Sequence, residues 1–399
     1  MSMPLVTTNT LLGLVAAVAV TSTLVAFLSL LWVTRRRRNL PDYTPPVTIF
    51  KPLKGFDEDL ETNLRSFFRL DYPAYQILFG VAESTDPAIE VVRRLLAEFP
   101  GHDAQIVIGC PVFGLNPKVE NLAAMDRFRK HDVILVSDSN VRVRPEYLRE
   151  TACYLAEPGV GLVSNLFVGI EEHQTGAVLE NLQLNGFIAG GVALASVTGA
   201  TCVVGKSMLM PVAALAAAGG FAGVRNLLAE DQALGVRIRK AGYSLRLSHH
   251  VIENVNHARS FHWFLNRHSR WYKIRRHMAL GTFLAEPMAN LATVGLVWAL
   301  AGESGFAWGG LLGLVGLGIA RDAASTYRLR GSFPKLRHLM LSPVKDLLML
   351  PIWFDAFVSN RVQWRGHRFL VGRYTRLRLA RVPRSVRQRV RRVRRFRTP

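Results

Sequence analysis

A series of short apolar runs that alternate with helical patterns, between about Val47 and Met278, constrains this fold more than any other feature. Runs of this kind are typical of strands buried on both faces of a parallel sheet. The apolar runs are Val47-Thr48-Ile49-Phe50, Ile77-Leu78-Phe79-Gly80-Val81, Gln105-Ile106-Val107-Ile108 and Val133-Ile134-Leu135-Val136, and the helical patterns are Leu60 to Phe68, Ala88 to Phe99 and Lys118 to Phe128. The alternation predicts βαβ units and hence an open, mainly parallel α/β sheet.

Acidic residues follow two of these predicted strands directly. Glu83 and Asp86 come after the second run, and Asp138 comes after the fourth. Because ligands of open α/β sheets bind beyond the carboxyl ends of the strands, we expect these side chains to share one edge.

Apolar segments flank the α/β block on both sides. Leu11 to Val33 holds 23 residues without a charge, close to the roughly 20 that a spanning helix needs. The basic cluster Arg35 to Arg38 follows it, whereas a cleaved signal peptide would carry basic residues before the apolar run. Residues 1–38 are therefore predicted to be a membrane anchor, with a cytoplasmic domain over residues 39–278.

The second half of the chain leaves more alternatives open. Leu179 to Met210 is apolar and fits either the domain core or a membrane-facing wall. In the predicted membrane region, residues 279–360, Met278 to Ala320 fits two spanning or re-entrant helices, and Leu339 to Val358 fits an interfacial or third helix. Residues 361–399 carry fifteen arginines and no acidic residue, which predicts a tail that lies along anionic lipid or is mobile.

Charge and cysteine content limit the class of protein. The net charge of +21 is compatible with anionic lipid, nucleic acid or an anionic substrate. Three cysteines without short spacing (Cys110, Cys153 and Cys202) argue against a disulfide framework or a zinc site. A reducing, cytoplasmic setting is the simpler interpretation.

Three motifs could carry chemistry, and each has a structural alternative. Asp138-Ser139-Asn140 offers oxygen ligands for Mg²⁺ or Mn²⁺, although the same residues form ordinary turns. Glu230-Asp231 opens a helical pattern, where an acidic pair serves as a helix cap or as a general base. Arg267 and Arg270 lie one helical turn apart, which suits a diphosphate or lipid headgroups.

Two further groups are less specific. Asn116-Pro117-Lys118 offers amide and ammonium groups, but an ordinary helix start has the same composition. His249, His250 and His257 lack an acidic partner at the spacing of a metal site, so we interpret them as structural or acceptor-side groups.

In this order the motifs resemble ceramide glucosyltransferase and its bacterial relatives, within the family 2-like glycosyltransferases of GT-A fold. The similarity extends from about Thr48 to Arg276 and continues more weakly to about Arg373. It rests on Lys51-Pro52-Leu53-Lys54-Gly55, Leu70-Asp71-Tyr72-Pro73, Asp86-Pro87-Ala88-Ile89, Asn116-Pro117-Lys118 with Asn121-Leu122, Asp138-Ser139, Gly161-Leu162-Val163, Ala229-Glu230-Asp231 and Arg267-x-x-Arg270-Trp271.

The resemblance implies a role for each matching residue. Glu83, where the family has aspartate, Asp86, Lys118 and Asp138 would bind the nucleotide sugar, and Asp138 would also hold the metal. Asp231 would be the catalytic base. Arg267, Arg270, Trp271 and Cys202 would lie near the diphosphate and the acceptor.

The implied activity is an inverting transfer of a hexose, glucose in the first instance, from a UDP-sugar to the hydroxyl of a membrane lipid. The expected location is a bacterial inner membrane or its equivalent, with an anionic bilayer and no nucleic acid as partners. The family's His-containing acceptor segment is absent around Leu182 to Gly191. The acceptor therefore stays open between ceramide and a hopanoid that would receive N-acetylglucosamine. A non-catalytic lipid-binding membrane protein is the alternative from another class.

Overall fold

The computed structural model describes residues 5–35, 41–109, 114–302, 304–364 and 366–380. The strands are β1 (Val47–Pro52), β2 (Tyr75–Val81), β3 (Ala104–Ile108), β4 (Val133–Ser137), β5 (Val141–Arg142), β6 (Val160–Ile170), β7 (Ser207–Pro211), β8 (Ser244–Val255), β9 (Arg361–Trp364), β10 (His367–Val371) and β11 (Leu377–Leu379). The helices are α1 (Leu5–Val33), α2 (Leu60–Phe68), α3 (Ala88–Glu98), α4 (Pro117–Met125), α5 (Tyr147–Ala152), α6 (Thr175–Leu182), α7 (Ala189–Val197), α8 (Val212–Ala217), α9 (Gly220–Val224), α10 (Glu230–Lys240), α11 (Phe261–Met278), α12 (Leu280–Ala285), α13 (Leu291–Gly302), α14 (Gly305–Arg330), α15 (Leu336–Leu339) and α16 (Ser342–Val358).

The first eight strands form one sheet in the order β3-β2-β1-β4-β7-β6-β8-β5. The four strands predicted from the sequence are its parallel half, β3-β2-β1-β4. Strand β7 then runs antiparallel to both β4 and β6, which makes the whole sheet mixed. The carboxyl ends of the parallel strands therefore meet at one edge, as the sequence predicts.

Helices cover both faces of this sheet because its strands are apolar on both sides. In β1, Ile49 packs in one core cluster with Phe67 of α2, whereas the next residue, Phe50, packs in the other with Leu122 of α4. Burying one such side chain contributes roughly 1.5–3 kcal/mol. The three predicted helical patterns correspond to α2, α3 and α4, and Asp86-Pro87 does precede a helix.

The apolar stretch from Leu179 to Met210 packs partly in the core of the α/β domain, as one of its two sequence interpretations predicts, and partly against the N-terminal helix. It forms the end of α6, a π-helical turn over Gln183–Ile188, then α7 and β7. Leu184 belongs to the core of the α/β domain, whereas Gly190 of α7 lies against Ala26 of α1.

Among the described helices, one is long and apolar enough by itself to cross a membrane, over Thr8–Val33. The helical segments Leu280–Ala289 and Leu291–Gly302 meet the same criterion only when counted together, and they are bent by 60° at their junction. The sequence prediction of an N-terminal apolar helix is therefore confirmed. The predicted C-terminal spans stay a prediction.

The C-terminal region departs from its sequence prediction. Strands β9, β10 and β11 form a second, antiparallel sheet, so residues 361–364 and 366–379 are folded and are not a loose tail. One face of this C-terminal sheet buries Val362, Phe369, Val371 and Leu377, while Arg368, Arg376 and Arg378 point outward. The prediction of a tail relied on the number of arginines and did not consider this alternation of apolar and charged residues. Residues 381–399 of the predicted tail lie outside the described residues.

Candidate active site

Asp138 lies directly after β4, at the carboxyl edge of the sheet. Its Oδ1 is 2.8 Å from Lys118 Nζ and its Oδ2 is 3.2 Å from Lys206 Nζ. A third lysine, Lys51 at the end of β1, donates to the Asp138 carbonyl oxygen at 2.6 Å and is fully buried. Three ammonium groups thus converge on the position where the sequence predicts a nucleotide diphosphate.

The pKa values of these groups reflect their mutual contact. Burial opposes the charge of Asp138, yet Lys118 and Lys206 hold the pKa of its carboxyl well below the usual range. Burial lowers the pKa of Lys206 to about 8 even though Asp138 opposes the shift. Lys118 is buried too, but the carboxylates Asp138, Glu230 and Asp231 raise its pKa above the ordinary value.

Lys118 joins the two acidic motifs of the chain. Besides Asp138, its Nζ contacts Glu230 Oε1 at 3.1 Å. Asn116 caps α4 with its side-chain oxygen, and its Nδ2 donates to Glu230 Oε2 at 3.1 Å. Both Glu230 oxygens therefore have partners within the protein, and the Glu230 side chain is buried, whereas the neighbouring Asp231 is half-buried and is the more accessible candidate base.

Asp231 lies in the first turn of α10 and is half-buried. Its Oδ2 accepts from the Gly205 N–H at 2.7 Å, and its Oδ1 accepts from the Gln232 N–H at 2.8 Å. A Cβ at position 205 would lie 2.8 Å from Asp231 Oδ2 and 3.1 Å from Lys118 Nζ, so glycine is needed for this close approach. Burial and the Glu230 charge raise the pKa of Asp231 to about 6, against the effect of Lys118.

Helix α11 supplies the Arg-rich motif beside this cluster. Arg267 is buried, and its Nε is 3.0 Å from Oε1 of Glu180, a fully buried carboxylate of α6. The other Glu180 oxygen contacts His268 Nε2 at 2.8 Å. The Arg267 guanidinium also lies 4.5 Å from the centre of the Trp271 ring and 5.0 Å from that of Trp263. These contacts fix its position. Burial lowers the pKa of Arg267 below its ordinary value, against the effects of the Glu180 and Asp138 carboxylates.

The other predicted residues lie around this centre. Arg270 and Trp271 are half-buried on the next turn of α11. Cys202 is half-buried, and burial together with the Asp231 charge raises the pKa of its thiol to about 11. Glu83 is exposed after β2. The Asp86 carboxylate accepts from the Gly55 N–H at 3.0 Å and the Ala88 N–H at 2.9 Å, so it links the β1 loop to the start of α3.

The donor set around Asp138 bears on the expected Mg²⁺ or Mn²⁺. The Ser139 hydroxyl donates to Asp57, and Asn140 Oδ1 accepts from Lys206 at 2.6 Å. Asp138 is the carboxylate of this motif, and such sites complete their shell with phosphate and water oxygens. The residues therefore fit a divalent cation if Lys206 exchanges Asp138 for a phosphate oxygen.

Sequence reasoning missed two of the charges that build this site. Glu180 and Lys206 were seen only as interruptions of the apolar stretch 179–210. A charge inside an apolar run is rarely buried without a partner, and this signal could have identified both residues.

The histidine interpretation needs one correction. His257 does have acidic partners, Glu171 and, at 3.3 Å, Asp59, which are distant in sequence. The same carboxylates pair with Arg142 at 2.9 and 2.8 Å. His250 Nδ1 contacts Glu150 at 2.7 Å, and His249 Nδ1 contacts the Tyr154 hydroxyl at 3.1 Å. His249 and His250 thus have structural partners. The ligand atoms of His257, Asp59 and Glu171 lie within 4.8 Å of one another, so this group could hold a metal ion, contrary to the interpretation from the sequence.

Comparison with solved structures identifies the fold. A mannosyltransferase from Pyrobaculum calidifontis, solved in complex with GDP-Man and Mn²⁺, superposes with a TM-score of 0.51 at 19% identity. The match covers 84% of this chain and 99% of that one, and it establishes the fold alone. The protein therefore shares the GT-A-like fold of that structure.

Sequence comparison gives the family. A model described as glycosyl transferase family 21 matches residues 14–377, and the chain belongs to this family. Ceramide glucosyltransferase 3 of Caenorhabditis elegans is 29% identical over 342 residues, which cover 82% of this chain and 72% of that protein. The ceramide glucosyltransferase of Komagataella phaffii is 26% identical over 434 residues, which cover 84% of each chain. Membership in a family of enzymes sets aside the non-catalytic alternative.

Proposed function

We propose that this protein is an inverting, membrane-bound glycosyltransferase that moves glucose from UDP-glucose to the primary hydroxyl of ceramide or a similar lipid. One observation carries the proposal. Lys118 contacts both Asp138, the proposed diphosphate residue, and Glu230, whose neighbour Asp231 is a carboxylate with a pKa of about 6, and this arrangement supports the proposal. The similarity to ceramide glucosyltransferases supports the lipid and the sugar.

The proposed reaction is a single displacement. Asp231 takes the proton of the lipid hydroxyl while that oxygen attacks the anomeric carbon from the face opposite the diphosphate. The bond from the anomeric carbon to the phosphate oxygen breaks, and UDP leaves with its electron pair. Lys118 and Arg267 stabilise the developing negative charge because they are held in place before the reaction. A divalent cation bound at Asp138 would supply further charge neutralisation.

The proposed acceptor route starts at the membrane. Helix α1 exposes large apolar side chains, including Leu14, Leu28 and Trp32, and it packs against α7 and α13. The basic Arg35 follows it, which favours a cytoplasmic domain by the positive-inside rule. A lipid hydroxyl can therefore approach the sheet edge from the bilayer. This route suits an enzyme in which the lipid hydroxyl, and not water, must attack the sugar.

Assays that combine different UDP-sugar donors with different lipid acceptors test this function. With the full chain in lipid nanodiscs, UDP release from UDP-glucose is expected only when ceramide is present, with a glycosylceramide as the product by mass. Ceramide methylated on its primary hydroxyl is the control and should give no release. A glycosylated hopanoid from UDP-N-acetylglucosamine, without reaction on ceramide, would instead establish the alternative acceptor, which the absent His-containing segment favours.

The pH dependence tests the base. The value of kcat/KM is expected to rise with pH up to about 6 and then to level off, since Asp231 accepts a proton only when ionised. Glu230→Gln should move this limb to lower pH, because it removes a neighbouring negative charge and frees Lys118 to favour ionised Asp231. The measurement is a series of initial rates at low donor concentration. If the rise in kcat/KM occurs at the same pH in Glu230→Gln, or at a higher pH, the assignment of Asp231 as the base is contradicted.

A further inference from the structure

The C-terminal sheet is bonded to the segment that directly precedes the acidic pair. The Leu228 N–H donates to the Thr375 carbonyl oxygen at 2.9 Å, and the Ala229 N–H lies 3.4 Å from the Thr375 hydroxyl oxygen. The Leu377 N–H donates to the Asn226 carbonyl oxygen at 2.8 Å. Residues 226–229 thus lie beside the C-terminal sheet and form one antiparallel bridge with it, between Leu227 and Arg376, directly before Glu230 and Asp231.

Thr375 has an unusual conformation for a residue with this role. It is fully buried, and its φ of 60° lies in the left-handed region. A β-branched residue rarely adopts that region, and such strain persists only where the surrounding structure enforces it. The preceding residue, Tyr374, also has a backbone conformation in the left-handed region, with a φ of 55°, but its side chain is exposed.

The opposite side of the 226–229 segment is held by the start of α4. Asn116 Nδ2 donates to the Leu227 carbonyl oxygen at 2.7 Å, and the Leu115 N–H donates to Asn226 Oδ1 at 3.0 Å. Leu228 is buried with Val362, Phe369 and Leu377 of the C-terminal sheet. The segment is therefore clamped between the helix that carries Lys118 and the strand that follows Thr375.

We propose that Thr375 is a positioning residue for Asp231, and that the C-terminal sheet is a structural part of the active site. Its carbonyl and hydroxyl oxygens fix the two amides before Glu230, so that α10 starts where Asp231 reaches the Gly205 amide. The inference rests on the proposed role of Asp231 as base. Thr375 itself contacts neither donor nor acceptor.

A general base accelerates the reaction only when it is correctly positioned beside the hydroxyl that it deprotonates. A displacement of about 1 Å can cost roughly a hundredfold in rate when reacting groups lose their alignment. Donor binding depends on Asp138 and the lysines, which the Thr375 contacts do not touch. Loss of the Thr375 hydroxyl should therefore reduce kcat and leave the affinity for UDP-sugar unchanged.

Thr375→Val and Thr375→Ser test the proposal as a matched pair. Valine keeps the branched shape and loses the hydroxyl, and kcat is expected to fall by about tenfold with unchanged UDP-glucose affinity. The thermal midpoint is expected to fall slightly, because the buried Ala229 N–H loses its acceptor. Serine keeps the hydroxyl and should retain most of the activity. Tyr374→Gly, which relieves backbone strain at the adjacent exposed position, should leave kcat unchanged.

The outcomes separate this inference from the proposed function. Wild-type kcat in Thr375→Val overturns the positioning role, and so does a variant in which kcat, donor affinity and thermal midpoint all fall together. If Asp231→Asn is inactive while Thr375→Val is fully active, only the Thr375 inference fails. If Asp231→Asn is active, the assignment of the base fails first, whatever Thr375→Val does.

Discussion

Asp231→Asn is expected to abolish lipid glycosylation, with a fall in kcat of at least about a thousandfold, while binding of UDP-glucose persists. Asparagine keeps the shape of the side chain and its contact with the Gly205 amide, but it cannot accept the proton of the lipid hydroxyl. A positioned general base contributes typically 10²–10⁴ in rate, so its removal accounts for the expected loss. The measurements are product formation and calorimetric titration with UDP-glucose.

Asp132→Asn is the matched control for this experiment. Asp132 precedes β4 at the other end of that strand, and its side chain is fully exposed. The control variant should transfer glucose at the wild-type rate. Full activity in Asp231→Asn, or a joint loss of transfer and UDP-glucose binding, would contradict the assignment of Asp231 as the base.

The parallel half of the sheet was predictable from the sequence because its information is local. Each buried strand shows a short apolar run, and each run is followed by a helix with a readable start, such as Asp86-Pro87. The topology rule then places Glu83 and Asp138 at the same edge without any coordinates. Prediction succeeded where a one-dimensional pattern determines a three-dimensional position.

The contacts that complete the site could not be read in this way. Lys206 and Glu180 meet Asp138 and Arg267 only because β7 and α6 return to the same edge from distant parts of the chain. The antiparallel half of the sheet sets those meetings, and its strand order leaves no local signal. The C-terminal sheet was missed for another reason. The high arginine content of the segment conceals the alternating apolar residues that form its buried face, Val362, Phe369 and Leu377.

Asp138→Asn is expected to remove UDP-glucose binding and transfer together, in contrast to Asp231→Asn. The variant loses the carboxylate that pairs with both Lys118 and Lys206 and that is proposed to bind the divalent cation. The two lysines, with Lys51 behind them, would then repel one another at a largely buried position. Breaking such a pair costs roughly 3–5 kcal/mol when it is fully buried, and we expect about 2 kcal/mol here because the Asp138 side chain is 27% exposed.

A double variant separates loss of stability from loss of chemistry. Lys206→Met in the Asp138→Asn background removes one unpaired ammonium group and should recover much of the thermal midpoint. Transfer and Mn²⁺- or Mg²⁺-dependent UDP-glucose binding should remain absent, because neither the carboxylate nor a phosphate-binding lysine is restored at that position. If the double variant regains both stability and transfer, Asp138 serves only to balance the lysine charges, and its role in binding the donor and the cation is wrong.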